Sequence, residues 1–492
     1  MFHKQKISNG VNEKSILLGL TFDDVLLKPQ YSKAKSRQEI KVDTYLTKDI
    51  KLNIPMISAS MDSVTESRMA ITMARLGGIG VIHRFIPPEI QALEVIKVKR
   101  SESFIIDNPI TISPKNSLLE AKIIGEENNI SGILIVNEKN KLLGIITKRD
   151  VAYQPQKYDK KPVINFMTKK LITARPGIAI GKAKNILTKH KIEKLPLVDK
   201  NGTLRGLITL SDIIKKEKFS RSSTDKKGRL LVAAAVGVKE EEILRAEMLV
   251  KAGADILVID IAHGHSLLAI NMLKKLKKIF PNTPTIVGNV ATGKAVADLA
   301  KAGADGIKVG IGAGSICITR IVAGAGVPQV SAIFDCSKRA KKANIPLIAD
   351  GGIRSPSDVA KAIAAGASSV MIGSLLAGTD ESPGLIINKD GVKYKISRGM
   401  ASLGANVSRR KSYSQDKISQ EDIERLVPEG IEAMVPYKGK AKDVISYLVG
   451  GLRSALSYAG AATIKEMQAK AKFIRITPSG LKESYPHDVI EL

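Results

Sequence analysis

The chain has 492 residues, 44% of them apolar and 4% aromatic, with two cysteines, no tryptophan and a formal net charge of +29. That length and apolar content allow two or three domains with sizeable cores; no run reaches the ~18 apolar residues of a membrane span, the N-terminus lacks a signal-peptide core, and so few cysteines argue for a reducing, cytoplasmic setting rather than a disulfide framework. The lysines are dispersed and aromatics scarce, which disfavours a stacking surface for nucleic acid as the primary partner and suits anionic small molecules such as nucleotides.

In chain order, TFDDVLLKPQYS from residue 21 leads into an apolar run at 53–58 and then SASMDSVTE. A helical stretch at 66–76 and GGIGVIH at 77–83 complete a strand–helix–strand unit. The pattern stops near residue 100 and returns after 228. The interruption is an internal repeat: ISGILIVNEKNKLLGIITKRD at 130–150 matches IEKLPLVDKNGTLRGLITLSD at 192–212, an ungapped offset of 62 (150 to 212). Each copy reads strand, helix, strand, turn, strand, helix. The two copies resemble a tandem pair of CBS domains, the adenosine-nucleotide-sensing module. On that resemblance Thr147, Asp150, Thr209 and Asp212, in the GIIT-x-x-D and GLIT-x-x-D endings, match ribose-binding positions for an adenine or guanine nucleotide. A purely structural pair stays open.

From 229 to about 373 strand and helix alternate again, with strand candidates at 230–236, 255–260, 284–289, 305–310, 346–351 and 368–373. Three of these follow the same helix ending, AGAD at 252–255, AGAD at 302–305 and AGAS at 365–368. With the two strands before the interruption, eight near-continuous apolar runs each precede helix-like sequence. Such runs indicate a parallel sheet buried on both faces, and eight of them favour an α/β fold of the (β/α)8 TIM-barrel type over an open sheet, whose G-x-G-x-x-G turn is missing. The expected domains are therefore a barrel over 1–100 and 218–492, with a tandem CBS insertion at 101–217.

In a barrel the chemistry collects where the strands end. There lie Ser58 and Met61, His83, Asp260 with His263 and His265, Asn289, Asp350 with Gly351 and Gly352, and Gly373 with Ser374. GIGAGSICITR at 310–320 sets Cys317 in a glycine-rich turn, a candidate nucleophile among exposed N–H groups; a packed cysteine is the alternative. The DGGIRS and GSLLAG turns are glycine-rich and open helices, the usual phosphate site of barrels. Asp350 offers the paired acceptors a ribose diol needs, against a remote helix cap. His263 and His265 lack a third metal ligand at useful spacing. After the eighth strand a charged excursion, with a flap at 385–440, reads as a lid over an intermediate.

These residues resemble the IMP dehydrogenase / GMP reductase family across nearly the whole chain: TFDDVLL, SASMDSV, GNVATG, GSICITR, ADGGIRS, GSLLAGTDESPG, RGMASLGA, VPEG and HDV. The resemblance implies NAD-dependent oxidation of IMP to xanthosine monophosphate, the committed step toward guanine nucleotides, through a covalent thioimidate on Cys317. It places IMP against Ser58, Met61, Ser315, Asp350, Gly351, Gly352, Gly373, Ser374, Gly399, Met400 and Glu429. NAD falls to Asp260, His263, Asn289, Gly310 and Gly312. A potassium ion falls to the carbonyls of Gly312, Gly314 and Cys317, with Glu483, Ser484 and Tyr485 of a neighbour in a homotetramer. Water activation falls to Thr319 with Glu429, and to an Arg-Tyr pair. Two departures stand out. The best match to the pair is Ser412-Tyr413, with Arg410 two residues earlier, and a phosphate-binding tyrosine is replaced by Ser397. GMP reductase, expected to lack the CBS-like insertion, and a catalytically impaired nucleotide- or RNA-binding relative are the competing readings.

Overall fold

The computed structural model describes residues 16–101, 106, 108–128, 130–152, 154–219, 221–411 and 427–489. Contacts divide the chain into two compact units, one of residues 1–101, 221–225 and 230–492, the other of 102–220 and 226–229.

In the larger unit eight parallel strands close into a barrel: β1 (Met56–Ser58), β2 (Ile79–Ile82), β3 (Ala233–Val236), β4 (Ile256–Asp260), β5 (Thr285–Val290), β6 (Gly306–Val309), β7 (Leu347–Asp350) and β8 (Ser369–Ile372). Closure is made by β8 on β1, with Met371 opposite Ile57. Each strand falls inside a run expected from the sequence, except that β5 runs one residue past 284–289 to Val290, and the alternation explains why those runs are continuous. Ile57, Val81, Ala233, Ile256, Val258, Ile348 and Met371 fill the barrel interior. Their neighbours Met56, Ile82, Ala234, Leu257, Ile259, Val287, Leu347 and Val370 face the surrounding helices. With water excluded from both faces, the polar half of an ordinary strand has no place.

The helices α1 (Ser67–Arg75), α2 (Pro88–Ser101), α3 (Glu242–Ala252), α4 (Leu267–Ile279), α5 (Gly293–Lys301), α6 (Gln329–Ala343) and α7 (Pro356–Ala364) return the chain between strands. A long helix, α8 (Ala441–Tyr458), follows the excursion after β8. That excursion contains a three-stranded antiparallel sheet of β9 (Ile387–Lys389), β10 (Val392–Arg398) and β11 (Glu432–Pro436).

The smaller unit reproduces the sequence repeat except at its first strand, which is Thr111–Ile112 in one copy and only an isolated bridge, Ala174 with Leu197, in the other. Its helices Leu118–Glu127 and Ile180–Lys189, and its strands Gly132–Val136 with Lys194–Val198 and Leu142–Thr147 with Leu204–Thr209, stand 62 apart (180 − 118, 194 − 132, 204 − 142). Each copy pairs its last two strands antiparallel. Ser117 caps the first helix with Glu120 reaching back, a reciprocal cap that satisfies two N–H groups.

Candidate active site

The carboxyl ends of β4 to β7 converge on one buried cation. Lys308 is only 2% exposed on β6, and its ammonium lies 2.8 Å from Asp260 Oδ1 and 2.7 Å from Asp350 Oδ2. It also donates to Asn289 Oδ1. Asn289 in turn donates to Asp350 Oδ2 at 2.9 Å and to the Gly310 carbonyl at 2.7 Å. Ser60 donates to the other oxygen of Asp260 at 2.5 Å. Burial alone would push the Lys308 ammonium toward neutrality, but the two carboxylates outweigh it and raise its pKa above the ordinary lysine value. The same balance runs in reverse at Asp260: burial opposes ionisation, and Lys308 with the Ser60 hydroxyl holds the carboxyl below its usual range. Three residues expected at the ligands, Asp260, Asn289 and Asp350, are thus fixed by a fourth that the sequence reading passed over as part of a strand. Strand parity was the available signal: Ile307 and Val309 face outward, so 308 must face the barrel axis.

Beside this hub the turn after β6 carries Cys317, which is partly exposed. Its Sγ lies 3.2 Å from Thr319 Oγ1, and its N–H donates to the Gly314 carbonyl at 3.2 Å. The turn after β7 packs directly on it. Gly351, at φ +94°, lies so close that a Cβ would stand 3.0 Å from the Ala313 carbonyl carbon and the Gly314 nitrogen. Gly310, at φ +150°, admits no Cβ because the Asp350 carbonyl occupies that space. Asp350 is no helix cap: Ser355 caps α7 by accepting from the Asp358 N–H. The DGGIRS turn is braced from the N-terminus, where Asp23 takes both arms of Arg354 at 2.6 and 2.9 Å and Lys361 donates to the Phe22 carbonyl. That bidentate contact with Arg354 holds the Asp23 carboxyl below its ordinary pKa.

The flap closes the other side. Ile318 donates to the Glu429 carbonyl at 2.9 Å and Ile431 to the Ile316 carbonyl at 3.0 Å, so Cys317 and Gly430 face each other as a β-bridge. Gly399 donates to the Ile431 carbonyl and Glu429 to the Ala401 carbonyl, both at 3.0 Å. The cysteine turn, Met400 and Glu429 are therefore one connected backbone. Arg398 anchors it to the SASMDSV turn through Asp62 and through its N–H on Ser63 Oγ. Met61 lies next to Gly373, whose carbonyl accepts from Leu376 and Ala377 in the turn holding Ser374.

The other expected residues have varied surroundings. Ser58 is fully buried, and its hydroxyl accepts from Thr65 at 2.9 Å. His263 is exposed, while His265 pairs with Asp298 on α5 at 2.9 Å. Ser315 is exposed on the cysteine turn. Ser397 is buried on β10 with a hydroxyl that finds no partner among the described residues. Glu483, Ser484 and Tyr485 are exposed at the end of a short helix, Pro478–Glu483. Tyr413 lies outside the described residues, and so does the side chain of Arg410. Among the described residues no three His, Cys, Asp or Glu side chains gather as a metal site. In the smaller unit Thr147 donates to Asp150 at 2.7 Å and Thr209 to Asp212 at 2.5 Å, each pair closing the turn from a strand to its helix.

Arg84 was also missed; at the end of β2 it is 8% exposed and donates to the Asp260 carbonyl at 3.3 Å.

The family model of the IMP dehydrogenase / GMP reductase domain matches residues 19–487. The chain belongs to the IMP dehydrogenase / GMP reductase family. A relative named inosine-5'-monophosphate dehydrogenase from Aquifex aeolicus is 55% identical over 479 residues, 97% of both chains. One of the same name from Nitrosopumilus maritimus is 51% identical, covering 96% of this chain and 98% of its own. Among solved structures, a variant GMP reductase of Trypanosoma brucei in complex with guanosine 5'-monophosphate superposes with a TM-score of 0.88 at 46% identity, over 97% of this chain and 99% of that chain. This last match corrects one expectation. A GMP reductase aligned over so much of both chains must have a counterpart of unit 102–220, so the insertion does not separate the two activities within the family.

Proposed function

We propose that the chain oxidises IMP to xanthosine monophosphate with NAD, and that Cys317 is the nucleophile. The observation that carries the reading is the seat of Cys317: partly exposed, beside Thr319, between the β7 turn and the flap residues 429–431. The names of the relatives near half identity favour the dehydrogenase over the reductase.

The substrate phosphate is taken by backbone N–H groups of Gly352, Gly373 and Ser374, where turns open helices, with Ser315 beside them. The Asp350 carboxylate receives the ribose hydroxyls, and Met61, Gly399, Met400 and Glu429 border the base. With the base so placed, the Cys317 sulfur adds to C2 and forms a covalent adduct; loss of hydride from C2 leaves a thioimidate, and water then breaks the C–S bond to release product and thiol. NAD, when bound, accepts that hydride. The residues fit it: among the described residues the Asp260 oxygens are held by Lys308 and Ser60, leaving lone pairs for a ribose diol.

Thr319, with Glu429 as proton acceptor, serves hydrolysis. The backbone bond from Ile318 to Glu429 brings the two segments together. Glu429→Gln is expected to slow single-turnover hydrolysis by about 10²-fold while leaving the hydride burst intact; an unchanged hydrolysis rate refutes the pair. Neutral carbonyls at Gly312, Gly314 and Cys317 suit a hard monovalent cation such as potassium, with a neighbour's Glu483, Ser484 and Tyr485 in a homotetramer. The paired repeats carry the regulatory reading. Thr147 lines a cavity of about 310 Å³ together with Lys122, Ser131 and Lys148, a chemistry that suits an adenine or guanine nucleotide.

The deciding assay follows NADH absorbance with IMP and NAD, comparing wild type with Cys317→Ala. Turnover by wild type alone supports the proposal. Consumption of NADPH with GMP, and no NADH from IMP, establishes the reductase instead.

A further inference from the structure

Arg320 lies three residues beyond Cys317 and takes no part in the chemistry above. Its guanidinium Nη2 donates to the Val327 carbonyl at 2.6 Å and reaches the Ile311 carbonyl at 3.4 Å. One side chain thereby spans both ends of the loop that presents the cysteine, from 311 to 327.

Two glycines make room for it. A Cβ on Gly312, at φ +75°, would stand 2.8 Å from Arg320 Nε, and one on Gly326, at φ +152°, would stand 2.7 Å from Arg320 Cγ. These glycines lie fourteen residues apart (326 − 312) and both lie close against the same side chain. Phosphate or cation binding explains neither contact. The Nε atom is buried and finds no partner among the described residues. Among the described residues the arginine is held there by packing and by the two carbonyls. A loop this rich in glycine has a large conformational entropy to lose; a permanently charged guanidinium whose Nη2 reaches a carbonyl at each of its ends removes much of that freedom.

We propose that Arg320 is a positioning residue: it straps the ends of the 311–327 loop together and so holds the Cys317 sulfur at the height where it meets the substrate base. The proposal rests on the assignment of Cys317 as nucleophile, and the experiment separates the two.

Arg320→Ala and Arg320→Lys are compared with wild type in two assays, each with and without ~20 mM guanidinium, far below denaturing concentration. The first is the rate of alkylation of Cys317 by iodoacetamide, read by peptide mass. It needs no substrate and carries an internal control, because burial pushes the Cys336 thiol up to about 12 and leaves it inert. The second is the amplitude and rate of the NADH burst with IMP. Arg320→Ala is expected to change the alkylation rate at least threefold and to slow the burst at least tenfold, with KM for IMP changed less than threefold. Added guanidinium is expected to reverse at least half of both changes. Arg320→Lys, which keeps the charge without the fork, is expected to fall between, and it stands in if the alanine variant does not fold. Unchanged alkylation and burst in a folded variant overturn the strap, as does a loss that guanidinium leaves untouched. A wild type that gives no burst with IMP, yet shows guanidinium-dependent Cys317 alkylation in Arg320→Ala, overturns the proposed reaction and leaves the strap standing.

Discussion

A lysine ammonium taken out of water must meet carboxylates or lose its proton, and Lys308 meets two. Removing the cation leaves the half-buried carboxylates of Asp260 and Asp350 without a countercharge. Lys308→Met is thus expected to cost about 3–5 kcal/mol and, through misplacement of both carboxylates, about 10²-fold in turnover; urea unfolding and steady-state rates check it. The acid side has a definite sign. Asp260 is held below its unfolded pKa, so its contribution is fully present above about pH 4 and fades as pH falls through the folded value. The barrel's urea midpoint should therefore differ most between wild type and Asp260→Asn near pH 7, and the gap should shrink in acid. A gap that widens in acid contradicts this electrostatic account. Asp260 and Asp350 were legible as candidate site acids because they stand at strand ends. Lys308, Ser60 and Arg84 were not, since what fixes them is a meeting of strands far apart in sequence.

The repeated AGAD ending shows how an element is specified. Gly253 and Gly303 end their helices in the left-handed region, at φ +100° and +101°, where only glycine is unstrained. The aspartate two residues later reaches sideways to the start of the preceding strand. Asp255 accepts from the Val232 N–H at 2.9 Å, and Asp305 from the Thr285 N–H at 2.8 Å. Each also pairs with a helix lysine, Lys99 or Lys277. The motif thus sets both where a helix stops and how the next strand registers on its neighbour. Asp305→Asn keeps an acceptor but loses the ion pair, and should lower stability by about 0.5–1 kcal/mol. Asp305→Ala also strands the Thr285 N–H, and should lower it by about 1–3 kcal/mol; thermal melts of the two distinguish the contributions. Element type was readable from apolar runs and these endings. The pairing of β10 with β11 was not, because it joins residues 34 to 42 apart, from Arg398 with Glu432 (432 − 398) to Tyr394 with Pro436 (436 − 394).

At the scale of the molecule, the inserted unit leaves and re-enters the barrel between α2 and β3, and Lys99 binds Asp225 at 3.0 Å where the two connections meet. The barrel's own closure, β8 on β1, involves no residue of the insertion. Replacing 102–220 by a short glycine–serine linker should accordingly leave IMP oxidation within about tenfold of wild type while abolishing any response to adenine or guanine nucleotides. Collapse of activity would show that the barrel depends on its insertion.

The clamp between Asp23 and Arg354 joins residues 331 apart, and its consequence falls on synthesis. As the chain leaves the ribosome, the TFDD segment waits for its guanidinium until nearly three quarters of the polypeptide has emerged, and β1 waits longer still for β8. The inserted repeats need only neighbours along the chain, so they are the first part able to fold during translation. The nascent enzyme thus acquires its paired repeats before the closed barrel and the strand ends around Lys308.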